Sequence, residues 1–342
     1  MNVISKEKRF LEFPIVLANF FQVLGESSEA SEELFIFGDF PFKNRKNKIT
    51  DTIFIYSEAD KKWGIYTQMK TESTIKIVLN DLKIFRNGRD WCVFDSNSKR
   101  FFEYSQISEH VENHNVAICV ANNAVYFSGG HKISEDSRDF YAKKEARKGC
   151  ADDYKIRKDS GGVFEEPFFG SDAVTNELQC MFSELYSWRK LSPMQTARFG
   201  HELVACKKFL FAIGGKNFKN MVLKTVEKYD TVKDQWTTVA STNNEFVYFG
   251  SVVYNDKIFI VANKQFEVYI PEQDIWLELP GPDFGVHERM KLAVLNGTFY
   301  AIGGVTSPRM QVFEPQTRRW KESGLMDISI QYAGVAVVKR PN

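Results

Sequence analysis

Short runs in which apolar and polar residues alternate recur along this chain, often in pairs separated by two turn-forming residues. That pattern predicts antiparallel β-hairpins. The stretch Arg198 to Trp236 holds the unit in one copy: RFGHELVACKKFLFAIGG, a loop, then TVEKYDTVKDQW. Lys207-Lys208 separates two apolar runs as a tight hairpin turn does. The second run ends in a small doublet, Gly214-Gly215, which lets the backbone turn and lets another segment approach closely. A third strand ends in Tyr229, and Trp236 follows seven residues later. Both rings carry enough area to fill a wedge between neighbouring sheets.

The doublet gives a ruler for the whole chain. Its copies are Gly38-Asp39, Asn87-Gly88, Gly129-Gly130, Gly214-Gly215, Ala262-Asn263 and Gly303-Gly304. Five of the six have a turn pair starting seven residues upstream: Asn80-Asp81, Asn122-Asn123, Lys207-Lys208, Asn255-Asp256 and Asn296-Gly297. Asn, Asp and Gly tolerate the positive φ that such turns need, so the fixed offset has a mechanism. Downstream runs a second ruler, with a seven-residue spacing from Tyr56 to Trp63, Phe94 to Phe101, Met181 to Trp188, Tyr229 to Trp236, Tyr269 to Trp276 and Phe313 to Trp320.

Successive doublets lie 49, 42, 85, 48 and 41 residues apart. A period in the forties with four short strands per copy predicts propeller blades. The gap of 85 has no second apolar hairpin, and 20 of the 48 residues from His131 to Leu178 are charged, so residues 131–178 read as a solvated insertion in the third blade. The expectation is an all-β, six-bladed propeller over residues 32–342 with four strands per blade, preceded by a lead-in at 1–31. The first copy lacks the strand that should precede Leu34, whereas Gln331 to Arg340 is an orphan strand at the other end. Pairing the two closes the ring and removes both open edges.

Composition narrows the setting. The 342 residues are 43% hydrophobic and 14% aromatic, enough for a large core, and the formal net charge of +1 gives no global attraction to nucleic acid or acidic lipid. Five widely spaced cysteines without a CxxC pair fit a reduced intracellular chain, and a cytoplasmic location is expected. The run Phe13 to Leu24 is broken by Asn19 and Gln22 and lacks a cleavage site, so it does not read as a signal peptide. No membrane span is expected.

The apolar end of strand two with its Gly-Gly, Tyr229-Asp230, the Trp six residues after that Asp, and Pro-Met-x-x-x-Arg from Pro193 to Arg198 together resemble Kelch repeats. The arrangement is similar to the Kelch half of the BTB-BACK-Kelch ubiquitin-ligase adaptors. That resemblance implies capture of a substrate protein by the propeller for a cullin-RING ligase. Only about 31 residues precede the propeller, so the cullin-binding BTB and BACK domains are not expected in this chain, and any cullin contact would be indirect. Cytoskeletal Kelch proteins give the alternative, an actin-binding role.

No catalysis is expected. Five scattered histidines form no triad motif. His110 and His114 have i, i+4 spacing without an HExxH context, and no metal or other cofactor is expected. Kelch-type copper oxidases rest on a Tyr-Cys site with His ligands; here Cys92, Cys119 and Cys206 fall in core strands and read as small buried thiols. His201 opens an inner strand and reads as a hydrogen-bonded structural histidine.

Binding is sought on the turns after each doublet and on the connections between blades, which carry no folding duty. The turns supply Phe40 with Lys43, Arg45, Lys46 and Lys48, then Arg89, His131, Lys132, Lys216, Asn217, Lys219, Lys264 and Arg309. The connections add Asn113, Arg198, Phe246, His287 and Arg289. Arg198 matches the position where a well-studied Kelch adaptor presents arginine to an acidic peptide. The equivalent positions Thr71, Asn113, Phe246, His287 and Ile330 do not reproduce that multi-arginine pocket. The expected partner is a protein with an acidic segment, carrying an apolar anchor for Phe40 or Phe246. The alternative is that these are ordinary solvated turns. Lys43 to Lys48 lacks the continuous stripe and stacking platform that nucleic acid requires, so nucleic acid is not an expected partner. In the insertion, Phe164 to Asp172 (FEEPFFGSD) could dock a partner or plug the basic rim.

Overall fold

The computed structural model describes residues 32–37, 52–68, 74–79, 82–87, 90–95, 100–104, 116–122, 124–131, 174–182, 187–283, 289–303, 309–325 and 334–339. The lead-in 1–31 and residues 132–173 of the insertion lie outside these.

Among the described residues, twenty-four strands form four-stranded antiparallel sheets. One sheet joins β1 (Glu32–Phe37), β2 (Thr52–Ser57) and β3 (Lys62–Gln68) to the C-terminal strand β24 (Gly334–Lys339), in the order β24-β1-β2-β3. The next four strands in sequence, β4 (Thr74–Leu79), β5 (Leu82–Asn87), β6 (Asp90–Asp95) and β7 (Arg100–Tyr104), make a second sheet. A third contains β8 (Ala117–Ala121), β9 (Ala124–Ser128), β10 (Leu178–Phe182) and β11 (Ser187–Leu191). A fourth contains β12 (Glu202–Cys206), β13 (Phe209–Ile213), β14 (Val226–Asp230) and β15 (Gln235–Val239). The fifth runs β16 (Gly250–Tyr254), β17 (Lys257–Ala262), β18 (Gln265–Ile270) and β19 (Ile275–Pro280). The last runs β20 (Lys291–Leu295), β21 (Thr298–Ile302), β22 (Arg309–Glu314) and β23 (Arg319–Leu325).

Local chemistry builds these elements as the sequence pattern requires. Cys206 pairs with Phe209, Tyr254 with Lys257 and Leu295 with Thr298 across two-residue turns. The turn residues Lys207, Asn255, Asp256, Asn296 and Gly297 all have positive φ, the geometry that matches strand twist. The second ruler is cross-strand register: all six aromatic or apolar pairs seven residues apart, from Tyr56 opposite Trp63 to Phe313 opposite Trp320, are direct partners. Tyr229 and Trp236 have ring centroids 5.0 Å apart, and Tyr269 and Trp276 repeat that distance.

The orphan strand closes the fold. β24 pairs with β1 from Glu32 opposite Lys339 to Phe37 opposite Gly334. Around this seam Leu34, Ile36, Tyr56, Ala293, Tyr300 and Ile302 pack together, and the Tyr300 hydroxyl donates to Glu58 Oε1 at 2.8 Å. The seam therefore joins the two chain ends through apolar burial and a polar bond.

The expected six-bladed propeller is corrected to five blades packed on one another through described side chains. Four inter-sheet clusters link five blades in succession: β8–β11 to β12–β15, on to β16–β19, to β20–β23, and to the sheet containing β24. The remaining sheet, β4–β7, is described by its backbone, and its side chains lie outside the described residues. Its sequence is the weakest copy of the pattern, with Asn87-Gly88 for the doublet, Phe94 and Phe101 for the Tyr and Trp, and a register shift between Ile75 and Ile77. The described core is thus a propeller of four-stranded blades with five packed through their side chains.

Candidate partner-binding face

The connections between blades are held by buried polar groups on the third strand of the following blade. Glu227 on β14 is 1% exposed, and its carboxylate accepts from the backbone N–H of Gln195 (2.6 Å) and Thr196 (3.0 Å) and from Arg198 Nη2 (2.6 Å). Glu267 on β18 does the same one blade on, accepting from the backbone N–H and side-chain amide of both Asn243 and Asn244 at 2.8–3.2 Å. Gln311 on β22 takes that place next, accepting from Asp283 N at 3.1 Å. Each lies two residues before Tyr229, Tyr269 or Phe313. The tryptophans hold the same connections from the other side: Trp236, Trp276 and Trp320 donate through Nε1 to the carbonyls of Ser192, Ala240 and Pro280.

The glycine doublets are where these connections cross. Gly214 and Gly215 have φ of 60° and 88°, and a Cβ on them would lie 2.5 Å from Phe246 O and 2.7 Å from Phe199 O. Gly215 N donates to Phe246 O at 2.8 Å. Side-chain-free backbone lets one blade's second strand seat the next blade's entry segment.

Two residues before the inner strands, the connections are bonded to one another. Tyr248 N donates to Gly200 O (2.9 Å), and Arg289 N donates to Tyr248 O (2.8 Å). The Arg289 guanidinium lies over the Tyr248 ring, 4.0 Å from its centroid. Beside this rail, Phe199 and Lys216 exchange backbone hydrogen bonds at 3.0 and 2.8 Å, and Lys216 also bridges to Val222. From that base projects the loop 217–221. The Asn217 side-chain oxygen accepts from Lys219 N and Met221 N, Asn217 O accepts from Asn220 N, and Asn220 takes φ 60°. Phe218 is 41% and Met221 53% exposed. The Lys219 ammonium lies 5.6 Å from the Phe218 ring centroid.

The Kelch motif matches residues 197–243, the span of the β12–β15 blade and its entry segment. One blade of this propeller carries the Kelch motif, and its four-stranded sheets are similar to those of Kelch repeats. Among relatives, the zebrafish (Danio rerio) Kelch repeat and BTB domain-containing protein 8 is 30% identical over 130 residues, 37% of this chain and 21% of that protein. The human (Homo sapiens) Kelch repeat and BTB domain-containing protein 2 is 33% identical over 94 residues, 27% of this chain and 15% of its own length. Zebrafish Kelch-like protein 41a is 22% identical over 255 residues, 66% of this chain and 41% of its own length. The chain thus spans well under half of each.

Within the propeller the expected contact residues separate. Arg198 is fully buried, donating to Gly214 O, Thr225 O, Thr225 Oγ1 and Glu227. Phe246 is fully buried beside Phe249, and His131 is 2% exposed against Phe199. As residues offered to a partner these three are corrected: each is used inside the fold. Lys264 is exposed and pairs with Asp283 at 2.8 Å, and Arg309 pairs with Glu322 at 3.3 Å, so acids from neighbouring segments temper the expected basic rim. Lys216 and Asn217 lie at the base of the loop, and Arg289 lies on the rail over Tyr248. Phe40, Arg89, Asn113 and His287 lie outside the described residues. Sequence reasoning missed Phe218, Met221 and Tyr248; two large apolar residues in the polar loop KNFKNM were the available signal.

Among the described residues, no group of three His, Cys, Asp or Glu could hold a metal ion, and no helix is long and apolar enough to cross a membrane. Cys119, Cys180 and Cys206 are buried, and burial pushes the Cys119 thiol up to about 12 and the Cys206 thiol up to about 11. Such thiols stay protonated and unreactive. His201 shares a 2.8 Å hydrogen bond with Ser128 in the core.

Proposed function

We propose that this Kelch propeller is a protein-interaction module whose rail-and-loop face captures a partner protein, as the substrate-recognition part of a cullin-RING ubiquitin-ligase adaptor. The observation that carries the reading is the exposed pair Phe218 and Met221 on a loop braced against Lys216, beside the Tyr248–Arg289 rail. Solvent-facing apolar groups next to cations suit a partner segment that is acidic and has an apolar anchor. The resemblance to BTB-BACK-Kelch adaptors supports the ligase setting, and the buried, protonated thiols argue against a Tyr-Cys redox centre.

The test is affinity purification of the full-length chain from cells, followed by quantitative mass spectrometry. Reversal of Lys216, Lys219 and Lys264 to Glu is expected to deplete the captured partners while the circular dichroism spectrum stays unchanged, and a cullin is expected among the proteins retained. Undiminished capture by the triple variant refutes the face, and absence of any cullin refutes the ligase setting.

A further inference from the structure

We infer that the loop 217–221 is a pre-shaped anchor that inserts Phe218 and Met221 into an apolar pocket on a folded partner, a pocket rimmed by carboxylates. This rests on the reading of the same face as a partner-binding surface and names the partner's chemistry.

Three observations carry it. First, the large apolar side chains exposed among the described residues are Ile65, Phe218, Met221 and Val232, and two of the four sit in this one loop. The other two lie apart, on β3 and in the turn after β14. Second, the loop is held in shape without a partner. Asn217 collects two backbone N–H groups through its side chain, and Asn220 occupies the left-handed region where Asn is favoured. The loop's base is fixed by the Phe199–Lys216 and Lys216–Val222 bridges. A segment already ordered loses little conformational freedom on binding, so its exposed apolar area converts efficiently into affinity. Third, cations flank the anchor. Lys219 lies over the Phe218 ring, Lys216 is at the loop base, and exposed Lys224 follows, its ammonium donating to Asn243 O at 2.7 Å. A pocket that receives Phe218 must bring its rim against these ammonium groups, and carboxylates are the groups that fit there. Phe218 and Met221 are exposed on this chain, so the pocket that buries them belongs to the partner.

The experiment incorporates a photo-crosslinking phenylalanine analogue at position 218 of the full chain in cells, identifies the crosslinked partner segment, and then measures that purified partner's affinity for variants. The crosslinked segment is expected to hold apolar residues flanked by Asp or Glu. Phe218→Ser is expected to weaken binding about ten- to hundredfold, the range for losing one buried aromatic side chain. Lys219→Glu should weaken it at low salt and less at high salt. Asn217→Ala, which removes no exposed anchor, should also weaken it by unbracing the loop. Thermal unfolding of each variant checks the fold. Wild-type affinity in Phe218→Ser, with binding lost in Arg289→Ala, overturns the anchor and leaves partner capture by this face intact. Absence of any captured protein with the wild-type chain overturns both readings, and a basic crosslinked segment overturns the charge assignment.

Discussion

Removing the Arg198 side chain tests the idea that this arginine is an internal strut. Arg198 and Glu227 are paired at 2.6 Å with side chains 0% and 2% exposed, so neither charge has water to fall back on. In Arg198→Met the Glu227 carboxylate keeps the N–H groups of Gln195 and Thr196 but loses the guanidinium that pairs with it. The Gly214 carbonyl loses its Arg198 donor at the same time, and the Thr225 carbonyl is left with the N–H of Gly214. Breaking one side of a buried pair costs about 3–5 kcal/mol, because the remaining charge is stranded. At about 2.1 cal/mol/K of unfolding entropy per residue, that corresponds to a drop in Tm of roughly 4–7 °C for a cooperative chain of this length. The double variant Arg198→Met with Glu227→Gln removes the stranded charge and is expected to recover part of the loss. Scanning calorimetry on the wild type, both single variants and the double variant closes the cycle. A loss below about 1 kcal/mol for Arg198→Met, the range of an exposed pair, would refute the strut and return Arg198 to the list of partner contacts.

Gly215→Ala should cost more than about 2 kcal/mol, since it combines a left-handed φ with a Cβ placed 2.7 Å from Phe199 O, whereas Gly64→Ala, with nothing within 4 Å, should change stability by less than about 0.5 kcal/mol; urea denaturation compares them. Deleting residues 331–342 removes β24 and turns β1 into an edge strand paired with β2 alone, so hydrogen exchange should accelerate along β1, and unchanged protection there would contradict closure by β24. The hydrogen bond from Tyr229 holds the Asp234 carboxyl below the usual carboxylate value of 3.8, with Ser192 N adding to it. A group with a depressed folded pKa stabilises above its unfolded pKa and loses that contribution as pH falls through the folded value. Stability measured from pH 6 downward should therefore fall below about pH 4 in the wild type and fall less in Asp234→Asn. Cys119, Cys180 and Cys206 should resist alkylation at pH 8 until the chain unfolds, and labelling of the native state would show that the blades open.

The hairpins, the doublets, the aromatic pairs and the closing strand were all legible in the sequence. Each is a local statement about the chain: a positive φ at Asn255 or Asn296, an alternating run, or a seven-residue offset that places Tyr229 opposite Trp236 across one turn. The pairing of β24 with β1 joins distant residues, yet an incomplete first copy and a leftover last strand already implied it. What the tertiary structure decided is which charges are spent inside. Arg198 read as a surface arginine because nothing nearby in sequence marks its burial; it is enclosed by Gly214, Thr225 and Glu227 from the next blade. Glu227 and Glu267 become struts only when a connection folds over them and removes water. Desolvation depends on what covers a side chain in space, and a pattern along one dimension carries that information only where cover and covered are neighbours in the chain.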